Sequence, residues 1–433
     1  MFRSIDLAIQ QSGSLAGQIG GVAACTFVSN ILGISQNGTA VTPLFPYSDT
    51  RPKAETHLLR KQFDEETIHQ RSGCYFHSSY LPARLLWLQR VNPAAFEKAE
   101  RWVSLGEYMW LKLFGNAAVS YSAASWTGLL DRKHLIWDDE LLERLPVKAN
   151  NLSPLCDIDQ PNQGLQANFR QRWPTLAEIP WFPAIGDGAA ANIGSGCTSS
   201  ERVTISLGST SAVRTVFENE IEHIPAGLWC YRVDRGRSLI GGALTEGGNL
   251  FNWLKKLIRI DSISDLETAL SQTTPGEHGL TFLPLIAGER SPGWADAATG
   301  SITGLTLATT PIDLLQAGLE GLICRIAQVY ELLMQALPSQ PQIIASGGVA
   351  MHSPFMLSRL ADALGQPVFP STMGEVSARG AALLALEALG ISQEAGDFLP
   401  SVGKAYHPDA ERHRRFQAML HSQKEFYRQV FNV

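Results

Sequence analysis

The chain has little charge for its length: 18% of its 433 residues are Asp, Glu, Lys or Arg, and the net charge is −6. That balance argues against nucleic acid as the main partner. The one basic cluster, "ERHRRF" (Glu411 to Phe416), reads as the solvated face of a helix. Metal-binding spacings are missing too. The six cysteines stand at 25, 74, 156, 197, 230 and 324 without a Cys-x-x-Cys pair, and the ten histidines form no His-x-x-x-His pair. A structural metal has no support, and scattered cysteines fit a reducing compartment. No apolar run approaches the ~20 residues of a membrane span. Asp6, Gln10 and Gln11 interrupt the opening segment, so it does not read as a secretory leader. A cytoplasmic protein without membrane contact is expected. Hydrophobic residues make up 45%, which leaves little room for disorder, and the length suggests two domains.

Along the chain, "IGGVAACTFVSNILGI" (Ile19 to Ile34) predicts a buried strand. "SSYLPARLLWL" predicts a helix with Pro82 near its first turn. "PAAFEKAERWVSLGEYMWLKLFG" predicts a second helix, with an internal break left open, and residues 139 to 181 read as loop-rich. "RVTISLGSTSAVRTVF" (Arg202 to Phe217) predicts a hairpin whose tip is Gly208, Ser209, Thr210 and Ser211. Such a tip offers hydroxyls and N–H groups to a phosphate, or is an ordinary Gly-Ser turn. Thr310 and Pro311 open a long helix with Ile312, Leu315, Leu319 and Ile323 on one side. Next, "PQIIASGGVAMHSPFMLSRLADALGQPV" predicts a strand, a Gly347-Gly348 turn and a helix capped by Ser353 and ended by Gly365. A helix start behind two glycines is a plausible pyrophosphate seat or simply a tight turn.

The stretch "AIGDGAAANIGSG" (Ala184 to Gly196) isolates one carboxylate, Asp187, between two glycines, with only small residues following. Gly186 and Gly188 let a ligand approach the backbone closely, and a carboxylate so presented suits a general base. The alternative is an Asp that stabilises the first turn of a helix.

In this order the segments resemble the FGGY family of carbohydrate kinases, from about Ile19 to the terminal "AYHPDAERHRRF". "LPLIAGERSPGW" is similar to a family segment, and "GSITGLTLATTPIDLLQAGLE" to the C-terminal signature, with Gly318 where a larger residue is usual. "SSYLPARLLWL" is similar to the N-terminal signature, with Arg84 where lysine is common. "SYSAASWTGLLD" and "GGALTEGGNLFNWL" look closest to the gluconate kinase branch. The resemblance implies an α/β fold: two actin-like (ribonuclease H-like) ATPase domains with a cleft between them. A sugar-binding domain would span 1–197 and a nucleotide-binding domain 198–433.

By the same resemblance, Asp187 matches the base that deprotonates the attacking sugar hydroxyl, and its bare turn leaves room for that sugar. Gly208, Ser209 and Thr210 match a phosphate loop, and Gly247, Gly248 and Asn252 the segment facing ribose and phosphates. Gly347, Gly348 and Ser353 match the adenosine motif. Thr26, Asn30, Tyr47, Asp49 (in "FPYSDTR") and His77 are sugar-side candidates, each with a plain reading as a loop or core polar residue. ATP with Mg²⁺ is the implied cofactor and a sugar or sugar acid the partner; monomer and homodimer stay open.

Each actin-like domain opens with a phosphate-holding strand-turn-strand, and the family's first copy carries Asp-x-Gly-Thr. No counterpart stands before Ile19, so the first domain is expected to be incomplete and the chain from Met1 to be a poor kinase. A non-catalytic sugar- or nucleotide-binding protein is the second reading.

Overall fold

The computed structural model describes residues 2–258 and 263–431. They fall into two compact units. The first comprises Met1–Gly194, Tyr231–Ser238 and Glu375–Asp397; the second comprises Ser195–Cys230, Leu239–Gly374 and Phe398–Val433.

The first unit opens with the helix Phe2–Ser12 and a 3₁₀ turn, Gly13–Gln18. Phe2 packs on Phe169 and Trp173, and Asp6 pairs with Arg172 at 2.6 Å. Among the described residues no strand precedes Cys25. The single strand expected over 19–34 is instead two short ones, Cys25–Thr26 and Leu32–Ile34. Ser29 breaks it: its φ of 52° turns the chain out of extended geometry, and its hydroxyl donates to the Trp126 carbonyl at 2.6 Å.

The signature helix forms at Leu81–Val91 with Pro82 in its first turn. The break in the following segment is real. Helix Pro93–Lys98 gives way to strand Arg101–Val103, which pairs antiparallel with Leu32–Ile34. Ser104 then starts helix Leu105–Phe114 through a reciprocal capping box with Glu107.

A six-stranded mixed sheet has most of its residues in the second unit, while Tyr231, Arg232, Arg237 and Ser238 of its first two strands belong to the first. Its order is Trp229–Arg232, Arg237–Leu244, Ser211–Glu218, Arg202–Leu207, Gln342–Ser346, Val368–Pro370. The expected hairpin is present, with Ser211 opposite Leu207, and Gln342–Ser346 runs parallel to its first strand. Val203, Ile205, Val213, Ile343 and Ala345 are fully buried in one core with helix Pro311–Met334.

Thr310 caps that helix in a box with Asp313. It is buried around most of its circumference rather than on one side. Helices Gly248–Leu257, Pro354–Leu364 and Ala410–Phe431 also pack on it. Crowding explains the small residue at 318, because a methyl group there would come within 2.5 Å of Leu254 and 2.9 Å of Phe282. The basic cluster lies at the start of helix Ala410–Phe431. Arg414 and Arg415 face solvent, but Arg412 pairs with buried Asp362 at 2.6 Å and Phe416 is fully buried.

Candidate active site

In the first unit, strand Ile185–Gly186 runs parallel to Cys25–Thr26, with Gly186 opposite Thr26, and hands directly to helix Asp187–Gly194. Asp187 is thus the first helical residue. Its Oδ1 accepts the Gly188 N–H at 2.8 Å, and it stays partly exposed. Two serines hold the turn: Ser120 Oγ donates to the Ala184 carbonyl (2.6 Å), and Ser122 Oγ accepts the Gly186 N–H (3.2 Å). Gly186 must be glycine for a steric reason, because a methyl group there would come within 2.8 Å of Trp126 Nε1 and 3.1 Å of Val28. Trp126 is therefore a wall of the turn. It stacks on Tyr231 at 3.7 Å, and the Tyr231 hydroxyl meets that of Tyr80. Burial, and then the nearby Asp187 charge, push the Cys25 thiol up, so it remains protonated.

Arg84 is buried beside the segments that carry Asn30 and His77. Its guanidinium donates to the carbonyls of Ser29 (2.6 Å), Ser78 (3.1 Å) and Ser79 (3.2 Å), tying the loop after Thr26 to the loop after His77. Burial, the largest influence, lowers its pKa to about 10, so it keeps its proton at neutral pH. Asp49 lies close enough to Arg84 to feel its charge. Its carboxyl is held below the usual range mainly by hydrogen bonds from Arg51, which it grips through two nitrogens. Arg51 lies over the Trp87 ring at 4.4 Å. Tyr47 is 38% exposed.

Asn30 uses its amide internally: Oδ1 accepts the Leu105 N–H at 2.7 Å and Nδ2 donates to Phe27 O. His77 is buried, with Nδ1 accepting the Ser79 N–H at 3.1 Å. Thr26 sits beside Gly186 in the ladder and donates to Phe27 O at 3.2 Å. Thr26 is thus placed beside the Asp187 turn, while Asp49 belongs to the Arg51–Arg84 cluster.

In the second unit the glycine turns converge. Gly248 N–H donates to Gly208 O (2.8 Å) and Asn249 N–H to Ser209 O (3.1 Å), which seats the 247–248 turn on the hairpin tip. A methyl group at Gly247 would strike Gly208 O and Thr210. Gly347, at φ +94°, lies against Leu207 O, where a methyl group would approach to 2.6 Å. Gly348 has nothing within 4 Å of such a methyl group, because it borders a cavity of about 280 Å³. Gly247, Gly248, Asn252 and Ser353 line the same cavity. Its walls are otherwise largely apolar, with Leu207, Phe251, Leu319, Leu322, Val349 and Phe355 among them. That combination suits a flat apolar ring with a few polar anchors.

Ser353 accepts the Met356 N–H and caps helix Pro354–Leu364, as the sequence suggests, but its hydroxyl also donates to Glu267. Burial pushes Glu246, the residue before the Gly247–Gly248 turn, up to about 7.

The sequence reading missed Trp126, Phe251 and Glu267. Phe251 and Trp126 lie within quoted motifs, but nothing local marks Glu267. Among the described residues no three His, Cys, Asp or Glu side chains cluster as a metal cage, and no helix is long and apolar enough to cross a membrane.

Two family models match. One, the N-terminal domain of the FGGY family of carbohydrate kinases, covers residues 1–194; the other, its C-terminal domain, covers 203–389. A gluconokinase of Bacillus subtilis (strain 168) is 25% identical over 373 residues, 83% of this chain and 72% of that protein. Among solved structures, a gluconate kinase from Lactobacillus acidophilus superposes with a TM-score of 0.88 at 23% identity, covering 99% of this chain and 89% of that one. A ligand-bound xylulose kinase from the same organism gives 0.89 at 23%, covering 100% and 89%.

Proposed function

The chain belongs to the FGGY family of carbohydrate kinases, which transfer phosphate to a carbohydrate hydroxyl, and from that premise we propose that Asp187 is its general base. The observation that carries the proposal is a partly exposed carboxylate on a turn stripped of side chains and walled by Trp126. ATP is the phosphate donor. We assign its nucleoside to the cavity bordered by Gly348 and its phosphates to the Gly208–Thr210 hairpin tip, beside which the Gly247–Gly248 turn leaves room for close approach.

Phosphoryl transfer asks mainly for positioning and charge neutralisation, so one base and a phosphate-cradling backbone are a coherent contribution. The first unit would then handle the sugar and the second the nucleotide. Mg²⁺ is the expected counter-ion. It favours phosphate oxygens and water over an all-protein cage. When bound it neutralises phosphate charge. Six free cysteines, five of them buried, favour a cytoplasmic setting.

Gluconate and a pentulose are the leading substrate candidates. Screening sugars and sugar acids for stimulated ATP consumption tests the reading: one responder above the rest is expected, and none across both classes would defeat it. The nucleotide half has its own test. Gly348→Val projects into open space, so the fold should survive while the cavity fills. ATP affinity is expected to fall at least tenfold, about 1.4 kcal/mol. Unchanged ATP binding by calorimetry in a folded variant would remove this cavity from the site.

A further inference from the structure

Among the described residues, the cavity assigned to the nucleoside has one carboxylate in its lining, Glu267, on helix Ile263–Ser271. Its Oε1 accepts the Phe355 N–H at 2.6 Å, and the Ser353 hydroxyl lies 3.1 Å from Oε1 and 3.0 Å from Oε2. Glu267 therefore occupies the start of helix Pro354–Leu364, the very place where the sequence suggests a pyrophosphate seat. A helix start attracts anions, but here a protein anion already fills it. A nucleotide's phosphates are repelled from that point.

The carboxylate receives two protein donors and can accept about four, so acceptor capacity remains beside the cavity. A carboxylate accepts and never donates. With apolar walls for a ring and an acceptor at its edge, the cavity matches a base that presents an N–H donor there.

We propose that Glu267 fixes the direction of the bound nucleotide and selects a 6-amino purine over a 6-oxo purine, by accepting the exocyclic amine. The proposal rests on the assignment of this cavity to the nucleoside of ATP. A 6-oxo base turns a carbonyl oxygen toward the carboxylate, and two acceptors facing each other leave both unpaired.

The test compares binding of ATP and inosine triphosphate, which differ at that position, by calorimetry without sugar. Wild type is expected to favour ATP at least thirtyfold. Glu267→Gln keeps an oxygen for the Phe355 N–H and offers an amide that donates to a 6-oxo group. It should cut the ATP-to-inosine triphosphate ratio at least tenfold, with an unliganded melting temperature close to wild type. A ratio unchanged within threefold would show Glu267 to be a helix cap only and overturn the proposal. If Glu267→Gln does not fold, the wild-type ratio decides, and a value below three overturns it. Gly348→Val separates the two levels. Loss of ATP binding there with an unchanged Glu267→Gln ratio defeats the selectivity alone, whereas intact ATP binding in Gly348→Val defeats the cavity assignment beneath it.

Discussion

Asp187→Asn is expected to lower sugar-dependent turnover by about 10²–10⁴, the contribution of a positioned general base. The substitution is a clean probe. Asparagine has the same shape, and its oxygen can still accept the Gly188 N–H that Asp187 takes at 2.8 Å. The Ser120 and Ser122 bonds that hold the turn involve backbone atoms of Ala184 and Gly186, so they persist. The proposed nucleotide cavity is lined by residues of the second unit alone, so ATP affinity should stay within a few-fold of wild type. The expected signature is a loss in kcat with little change in nucleotide binding, as when an interaction made in the transition state is removed. Steady-state kinetics with calorimetry on the same preparation checks it. A variant within a few-fold of wild-type turnover would leave Asp187 as a residue that merely starts its helix.

The parts of the site that rest on local chemistry were legible in the chain. Gly186, Asp187 and Gly188 announce a bare turn by residue type, and Ser353-Pro354 with Gly365 bracket a helix in any context. What the chain could not show is which distant groups those local features meet. Ser353 reads as a cap, but its hydroxyl also engages Glu267, 86 residues earlier. Asn30 reads as a sugar contact or a loop or core polar residue, whereas its side chain accepts from Leu105, 75 residues away.

Arg84 stood out as a departure from lysine, and only the fold explains it. Three carbonyls from two loops converge there, which a planar fork of donors serves better than a single ammonium. The strand expected over 19–34 failed for the converse reason. Its apolar content suits a strand, but Ser29 adopts a positive φ that periodicity does not encode.

The remaining large effect concerns how Asp187 is held in place. Helix Asp187–Gly194 lies against helix Val376–Ala388 in the first unit, at a distance set by two glycines. A methyl group at Gly380 would sit 1.8 Å from Ala190 O, and one at Gly194 would sit 1.8 Å from Val376 O. These obstacles are backbone atoms, which cannot rotate away as a side-chain tip can. Ser377 Oγ donates to the Asp187 carbonyl at 3.4 Å and Arg379 to the Gly194 carbonyl at 2.7 Å, so the second helix grips both ends of the first.

Two effects oppose each other in Gly380→Ala. Alanine is a better helix former than glycine by about 1 kcal/mol. Overpacking against fixed atoms costs about 1–3 kcal/mol or more, and at 1.8 Å the upper end applies. Sterics win. The variant should lose about 2 kcal/mol of stability net, and turnover should fall about 100-fold, the penalty of moving a catalytic group by ~1 Å. Gly20→Ala is the control, since a methyl group there meets nothing within 4 Å, and it should leave both quantities unchanged. Thermal melting and steady-state kinetics on the two variants make the comparison. A Gly380→Ala protein as stable and as active as wild type would mean that the helix pair yields freely, and that Asp187 does not depend on this contact for its position.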